Sequence, residues 1–509
     1  MRRSNSALAA LLVVLSVSTP ALTDPPGTTG KREKHPRTAD ETASIEVPAP
    51  QPGGDTAGRP AGVVTAADVA DAPRPDRAGG VVRDEAPGPG RAMLWIPRVA
   101  LAVPRLALEV VDAPVRGGLW VYETYQVKER FADIFFNDER TVGLYPLAFW
   151  ETGLGLNAGA RFVHRDLFGE HEKLRLRASF GGRYRQIYAL VLESGQRFGD
   201  RFGLELEAGY EVRPNDRFFG IGNLDEVPPG DVTAPADPRE LAVASHFQED
   251  LGKVAVIAVP RITDTLSARL TGAYLYSAFK GEGGDFASDE SIDTLYQVDD
   301  LVGFDQGVSS LYLEAELRLD TRHAATRYEP LPSPGGGWVV GPFVGAAAGL
   351  ADDPSRYLRY GLDLQHYIRI AAGPRVIALR AYLEGVVGDR DRVPFSQLPR
   401  LGGSLLLRGY EANRFRDRAL ALVTAEYQFD LSANLSGVLF ADAGRVSPTL
   451  PDVADDLGSY RLGYGAALQA HTGRSFMARA SIASSIDGGL FLSLAFDTIY
   501  DPKARIERK

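Results

Sequence analysis

The sequence predicts an all-β membrane protein: an antiparallel transmembrane β-barrel of roughly sixteen strands, with a short helical segment before it. Three observations predict this. Apolar and polar residues alternate with period two over most of the chain, the pattern of strands with one face in lipid and one in a watery lumen. The alternating runs reach about 10 residues or more, longer than the roughly 5–6 usual in soluble sheets. Beyond its first residues, the chain has no apolar run of about 18 residues that could cross as a helix.

The elements follow in order. Residues 1–23 open with Met1-Arg2-Arg3, continue through an apolar run from Ala7 to Val17 and reach small residues near Thr19-Pro20-Ala21. A basic start, a short apolar core and small residues at a cleavage site predict a signal peptide for export. Residues 24–90 are Pro, Gly, Ala, Thr, Asp and Arg, as in Pro48-Ala49-Pro50-Gln51-Pro52-Gly53-Gly54. They carry too little apolar surface to offset the entropy of ordering, so a disordered periplasmic tether is expected. Residues 91–140 place apolar side chains at helical spacing, broken by Pro97, Pro104 and Pro114 and punctuated by Arg98, Arg105 and Arg116. Two readings fit: short amphipathic helices on the inner leaflet, anchored by Trp95 and Trp120, or a helix capping one end of the barrel.

Residues 141–500 carry the strands. Leu311, Leu313, Ala315, Leu317 and Leu319 alternate with Tyr312, Glu314, Glu316, Arg318 and Asp320. Leu358, Tyr360, Leu362, Leu364, His366, Ile368 and Ile370 alternate with Arg359, Asp363, Gln365 and Arg369. Turn signals divide this region into the spans 142–150, 153–164, 171–184, 186–197, 201–213, 243–262, 265–280, 308–321, 337–350, 356–370, 375–388, 418–430, 435–446, 459–470, 475–485 and 489–499. An even count places both ends in the periplasm, and the long connections 214–242, 281–307, 389–417 and 447–458 then all fall outside. The last strand sets Leu490, Leu492, Leu494 and Phe496 on one face after Gly489. It is similar to the C-terminal signal read by barrel-assembly machinery, although a charged tail, 501–509, follows it.

Composition narrows the function classes. With 66 acidic against 56 basic residues the formal charge is −10, which speaks against a nucleic-acid partner. The chain has no Cys, and its seven His show no metal-ligand spacing. No cofactor, metal or catalytic residue is expected. His164, Asp166 and His171 fall near one turn, but polar turn residues are commonplace.

Within the 389–417 connection stands Leu401-Gly402-Gly403-Ser404-Leu405-Leu406-Leu407-Arg408-Gly409-Tyr410. The next strand reads Thr424-Ala425-Glu426-Tyr427-Gln428-Phe429, and the one after holds Phe440-Ala441-Asp442-Ala443-Gly444. Phe218-Phe219-Gly220-Ile221-Gly222-Asn223 and Asp320-Thr321-Arg322 are weaker echoes. In this order the segments resemble the BamA/TamA family of outer-membrane proteins, whose sixth outer loop carries a GG…RG(F/Y) signature. The resemblance implies a loop folded back into the lumen by Gly402, Gly403, Leu407, Arg408, Gly409 and Tyr410, with Arg408 meeting acidic residues on the following strands. Alternation places Glu426 and Asp442 inward as those partners. The family's POTRA modules have no room between the leader and Thr141, so the resemblance is to variants without them.

What the resemblance implies is an outer-membrane assembly or translocation factor working at a seam between spans 142–150 and 489–499, where Pro146 removes one ladder donor. Its partners would be outer-membrane lipids, and substrate outer-membrane proteins or a periplasmic partner. A passive pore or structural barrel is the alternative, and a lipid-modifying barrel a lesser one.

Overall fold

The computed structural model describes residues 133–151, 155–181, 185–281, 289–322, 336–370, 375–432, 435–471 and 476–495. The expected leader, tether, most of the helical segment, Phe496 and the charged tail lie outside the described residues.

Sixteen long strands form one meander. They are β1 Val142–Glu151, β2 Gly155–His164, β3 Lys173–Gly181, β4 Arg185–Glu193, β5 Phe202–Phe218, β6 Ser245–Pro260, β7 Leu266–Lys280 and β8 Val308–Asp320. The second half is β9 Gly337–Gly349, β10 Arg356–Arg369, β11 Arg375–Val387, β12 Ala419–Ser432, β13 Leu435–Ser447, β14 Arg461–His471, β15 Phe476–Ser485 and β16 Gly488–Ala495. Each pairs antiparallel with the next, from Val142↔His164 to Arg479↔Ala495. A two-residue strand, Glu290–Ser291, adds parallel to the start of β6 and brings the sheet to 17 strands. No helix among the described residues is long and apolar enough to cross a membrane.

The alternation now has a physical meaning. On β8, Leu311, Leu313, Leu317 and Leu319 are exposed on the outer face, while Tyr312, Glu314 and Glu316 are buried on the inner one. A soluble sheet would invert this. Ionic side chains shielded inside and bare leucines outside suit a wall with hydrocarbon on its outer side. The inward charges are matched across strands: Arg359 lies 2.6 Å from Glu384 and Arg380 lies 2.9 Å from Asp363.

Strand β5 runs five residues beyond its expected end at Arg213. A bulge between Arg213 and Asp216 absorbs Pro214, and the strand then resumes against Phe247, His246 and Ser245 of β6. The first and last strands meet differently from all others. β1 and β16 approach within 8 Å between Cα atoms, yet among the described residues no ladder joins them.

The long connections do more than link strands. Phe218, Val243, Phe247, Ile292, Leu295, Tyr296, Leu301, Phe304 and Phe395 form one buried cluster from three of them and the adjoining strand ends. It makes an aromatic dome at the long-loop end. The ring of Phe395 stands 4.8–6.0 Å from those of Phe218, Phe247, Phe279 and Phe304. The Tyr296 hydroxyl donates to the Val243 carbonyl at 2.8 Å and accepts from its N–H at 2.7 Å. Burial pushes that hydroxyl up to about 12.

Candidate functional site

The connection from β11 to β12 turns inward. It forms a small hairpin, Arg400–Leu401 against Phe415–Arg416, that frames the glycine-rich segment. The Gly402 N–H donates to the Leu406 carbonyl at 2.7 Å and the Gly403 N–H to the Tyr410 carbonyl at 3.0 Å. Leu407 holds a left-handed φ of 60°, unusual for a branched residue. Its side chain is fully buried among Phe343, Tyr382, Leu401, Tyr410, Phe415, Leu420, Leu422 and Val446. Apolar burial thus fixes a strained backbone and aims the next residue, Arg408.

Arg408 is the centre of the site. Its Nε and Nη2 each lie 2.7 Å from one carboxylate oxygen of Asp442, a bidentate pair, and its backbone N–H reaches Asp442 Oδ2 at 2.9 Å. Its Nη1 lies 2.5 Å from Glu426 Oε1. The guanidinium stacks 3.6 Å from the Phe440 ring centroid. A second cation closes the set: Arg479 of β15 reaches Glu426 Oε1 at 2.9 Å. Thr424 donates to Asp442 at 2.9 Å and Gln428 to Glu426 at 3.1 Å. Two carboxylates and two guanidiniums, none more than 3% exposed, form a neutral, hydrogen-bonded cluster spanning the loop and three strands.

The loop also touches backbone. A Cβ on Gly409, at φ 95°, would stand 2.3 Å from the Ser484 carbonyl oxygen of β15. A Cβ on Gly463 of β14 would stand 1.7 Å from the Arg408 carbonyl oxygen. Only glycine allows that approach. The Tyr410 hydroxyl donates to the Leu462 carbonyl at 3.4 Å.

The structure therefore brings Gly402, Gly403, Leu407, Arg408, Gly409, Tyr410, Glu426 and Asp442 together. The C-terminal residues stand apart. Leu490, Leu492 and Leu494 are exposed on the outer face of β16, with Gly489 at its start, and Phe496 lies outside the described residues. Sequence reasoning missed Arg479 and Gly463. The one charge in Phe476-Met477-Ala478-Arg479-Ala480 was the available signal for the first.

The weaker echoes have structural places too. Phe218 is buried in the dome, Phe219 is buried with the Arg414 guanidinium 5.4 Å from its ring centroid, and the Gly222 N–H donates to the Arg416 carbonyl at 2.8 Å. Arg322 grips Asp320 through two bonds of 2.9 and 2.7 Å. The His164, Asp166 and His171 turn is held by backbone donors, from His171 to Asp166 at 2.9 Å and from Asp166 to His164 Nδ1 at 3.4 Å.

A meander of transmembrane strands whose inner loop is tied to the wall by a buried Arg–carboxylate cluster defines a loop-latched outer-membrane barrel. The Omp85 superfamily domain matches residues 166–487, and the chain belongs to that superfamily. The BamA/TamA resemblance agrees with this family. Similar solved folds include BamA from Haemophilus ducreyi lacking POTRA domains 1-3, at 16% identity and TM-score 0.48, covering 70% of each chain. CdiB from Acinetobacter baumannii is 12% identical with TM-score 0.41, covering 70% of this chain and 59% of that one. CdiB from Escherichia coli is 12% identical with TM-score 0.43, covering 69% and 61%. No curated protein matches in sequence.

Proposed function

We propose that this barrel helps other polypeptides, outer-membrane proteins foremost, to enter or cross the outer membrane, without enzymatic chemistry of its own. The observation that carries the reading is the seam. Every other neighbouring pair of strands is laddered, whereas β1 and β16 come together without a ladder among the described residues. A strand edge that no ladder closes is a template for another strand. On this reading β1 and β16 offer edges to an incoming chain, and the Arg408 cluster keeps the wall beside β16, β12 to β15, intact while they do so. Superfamily membership supports the same reading, with the long-loop end outside the cell, the N-terminal region in the periplasm and a periplasmic partner delivering substrate.

The test is insertion in vitro. The purified full-length chain in phospholipid vesicles should speed membrane insertion of a urea-denatured outer-membrane barrel several-fold over empty vesicles. Ion conductance with no acceleration would make it a passive pore instead.

A further inference from the structure

One flank of the seam is tied down from another part of the wall. The outer turn Ile486-Asp487 joins β15 to β16. Arg461, the first residue of β14, lies 3.1 Å from the Asp487 carboxylate. The same guanidinium reaches the Asp225 carboxylate at 2.6 Å and donates to the Asn223 carbonyl at 2.8 Å. Asn223 and Asp225 belong to the connection that leaves β5, far from β14 in the meander. The Asn223 side chain donates to the Ser459 carbonyl at 2.7 Å, so more than one bond seats this connection beside β14.

The three charges differ in their surroundings. The Arg461 side chain is 15% exposed, with its guanidinium 5.4 Å from the Phe415 ring centroid of the inner hairpin. Asp225 and Asp487 are 86% and 44% exposed. Ion pairs to such exposed partners are weak, and dissolved salt screens them. The Arg408 cluster, at 3% exposure or less, is shielded from salt. The barrel therefore carries one fixed ionic joint and one that can open.

We propose that Arg461 is a releasable clasp, which pins the outer turn of the β15–β16 hairpin to the connection from β5. Closed, it holds the outer start of β16 in place at the seam. Open, it leaves that end to its ladder with β15 alone. Control of insertion through the clasp rests on the seam reading above; the clasp itself does not.

Amide hydrogen exchange of the full-length chain in detergent micelles tests this. At low salt, Arg461→Gln should speed exchange at residues 486–491 several-fold, and Arg461→Lys should do so less. Asp225→Asn should also speed it, by a smaller factor, and cannot unfold the barrel from so exposed a position. Among the described bonds Asp225 reaches that turn through Arg461, so its effect there reports the clasp and not local damage. Salt near 1 M, where the screening length falls to about 3 Å, should speed the native chain at 486–491 and leave Arg461→Gln unchanged. Exchange in β12 and β13 should stay native throughout. The proposal is overturned if Asp225→Asn leaves 486–491 at the native rate. It is overturned equally if Arg461→Gln speeds β12 and β13 as much as the turn, or if salt acts alike on native and variant. Exchange is read on the barrel alone: a clasp that behaves as expected in a chain that inserts nothing would stand while the seam reading falls.

Discussion

The latch in the lumen and the dome at the long-loop end both fix long loops to the barrel, by opposite physics. The latch is four charges held by hydrogen bonds of 2.5–2.9 Å around one carboxylate pair. The dome is rings packed on rings with few polar constraints. Apolar packing degrades by increments, because removing one ring leaves the others in contact. A buried ionic cluster does not, because deleting one member leaves a neighbouring charge desolvated and short of a partner. The latch is therefore a precise, brittle joint and the dome a tolerant one.

The largest effect should come from Glu426, which serves two guanidiniums at once. Breaking one buried ion pair costs about 3–5 kcal/mol, and Glu426→Ala takes the carboxylate from Arg479 and one of two from Arg408, which keeps Asp442, so the loss should fall in or above that range. A cold gel should show the heat-modifiable folded band weakened or absent. Charge swaps sharpen the point. Arg408→Glu and Asp442→Arg should each weaken the band, and the double swap should recover part of it. Full tolerance of every single swap would mean that the cluster does not hold the loop.

Phe395→Ala should separate the two regions. Removing a packed ring costs about 3–5 kcal/mol locally. Four neighbouring rings remain, so the damage should stay in the dome. Protease should cut the connections 219–244 and 289–307 faster, with the folded band unchanged. If the band falls as far as in Glu426→Ala, the dome is as integral to the wall as the latch. Gly409→Ala should rank below both, at about 1–3 kcal/mol, because it must relieve a left-handed backbone and the approach to Ser484.

Much of this architecture was legible in the sequence, for identifiable reasons. Each of the sixteen expected spans contains or overlaps one long strand, because a wall between lipid and lumen forces strict alternation and turn residues mark its ends. Glu426 and Asp442 were legible as inward by parity. Arg479 was not, because nothing local says which lumenal charges converge across β12, β13 and β15. The dome was not legible either. Phe218 ends β5 beyond its expected end, Tyr296, Phe304 and Phe395 lie in connections without periodicity, and their contacts span up to 177 residues, from 218 to 395. Gly463 reads as one glycine among many until the Arg408 carbonyl is seen against it.

The smallest expected effect tests whether charge inside a turn follows the latch's rule. Between β2 and β3, the carboxylate of Glu172 is almost fully buried and accepts N–H bonds from Phe168 and Glu170, both at 3.1 Å, and from Arg197 at 2.7 Å. Burial alone would raise its pKa, yet these donors outweigh it and hold the carboxyl at about 2, below its ordinary 4.5. A lowered carboxyl value means the bonds stabilise the turn fully above about pH 4.5 and fail as pH falls towards 2. Glu172→Gln lacks the charge at every pH. Pepsin should therefore cut the variant's 165–172 turn faster than the native one near pH 4, with the two rates converging as the pH approaches 2. Convergence already near pH 4 would show that the donors do not hold the carboxylate. The tie between this turn and Arg197 would then rest on the Gln196 N–H to Glu170 carbonyl bond of 2.8 Å, a neutral link that pH does not touch.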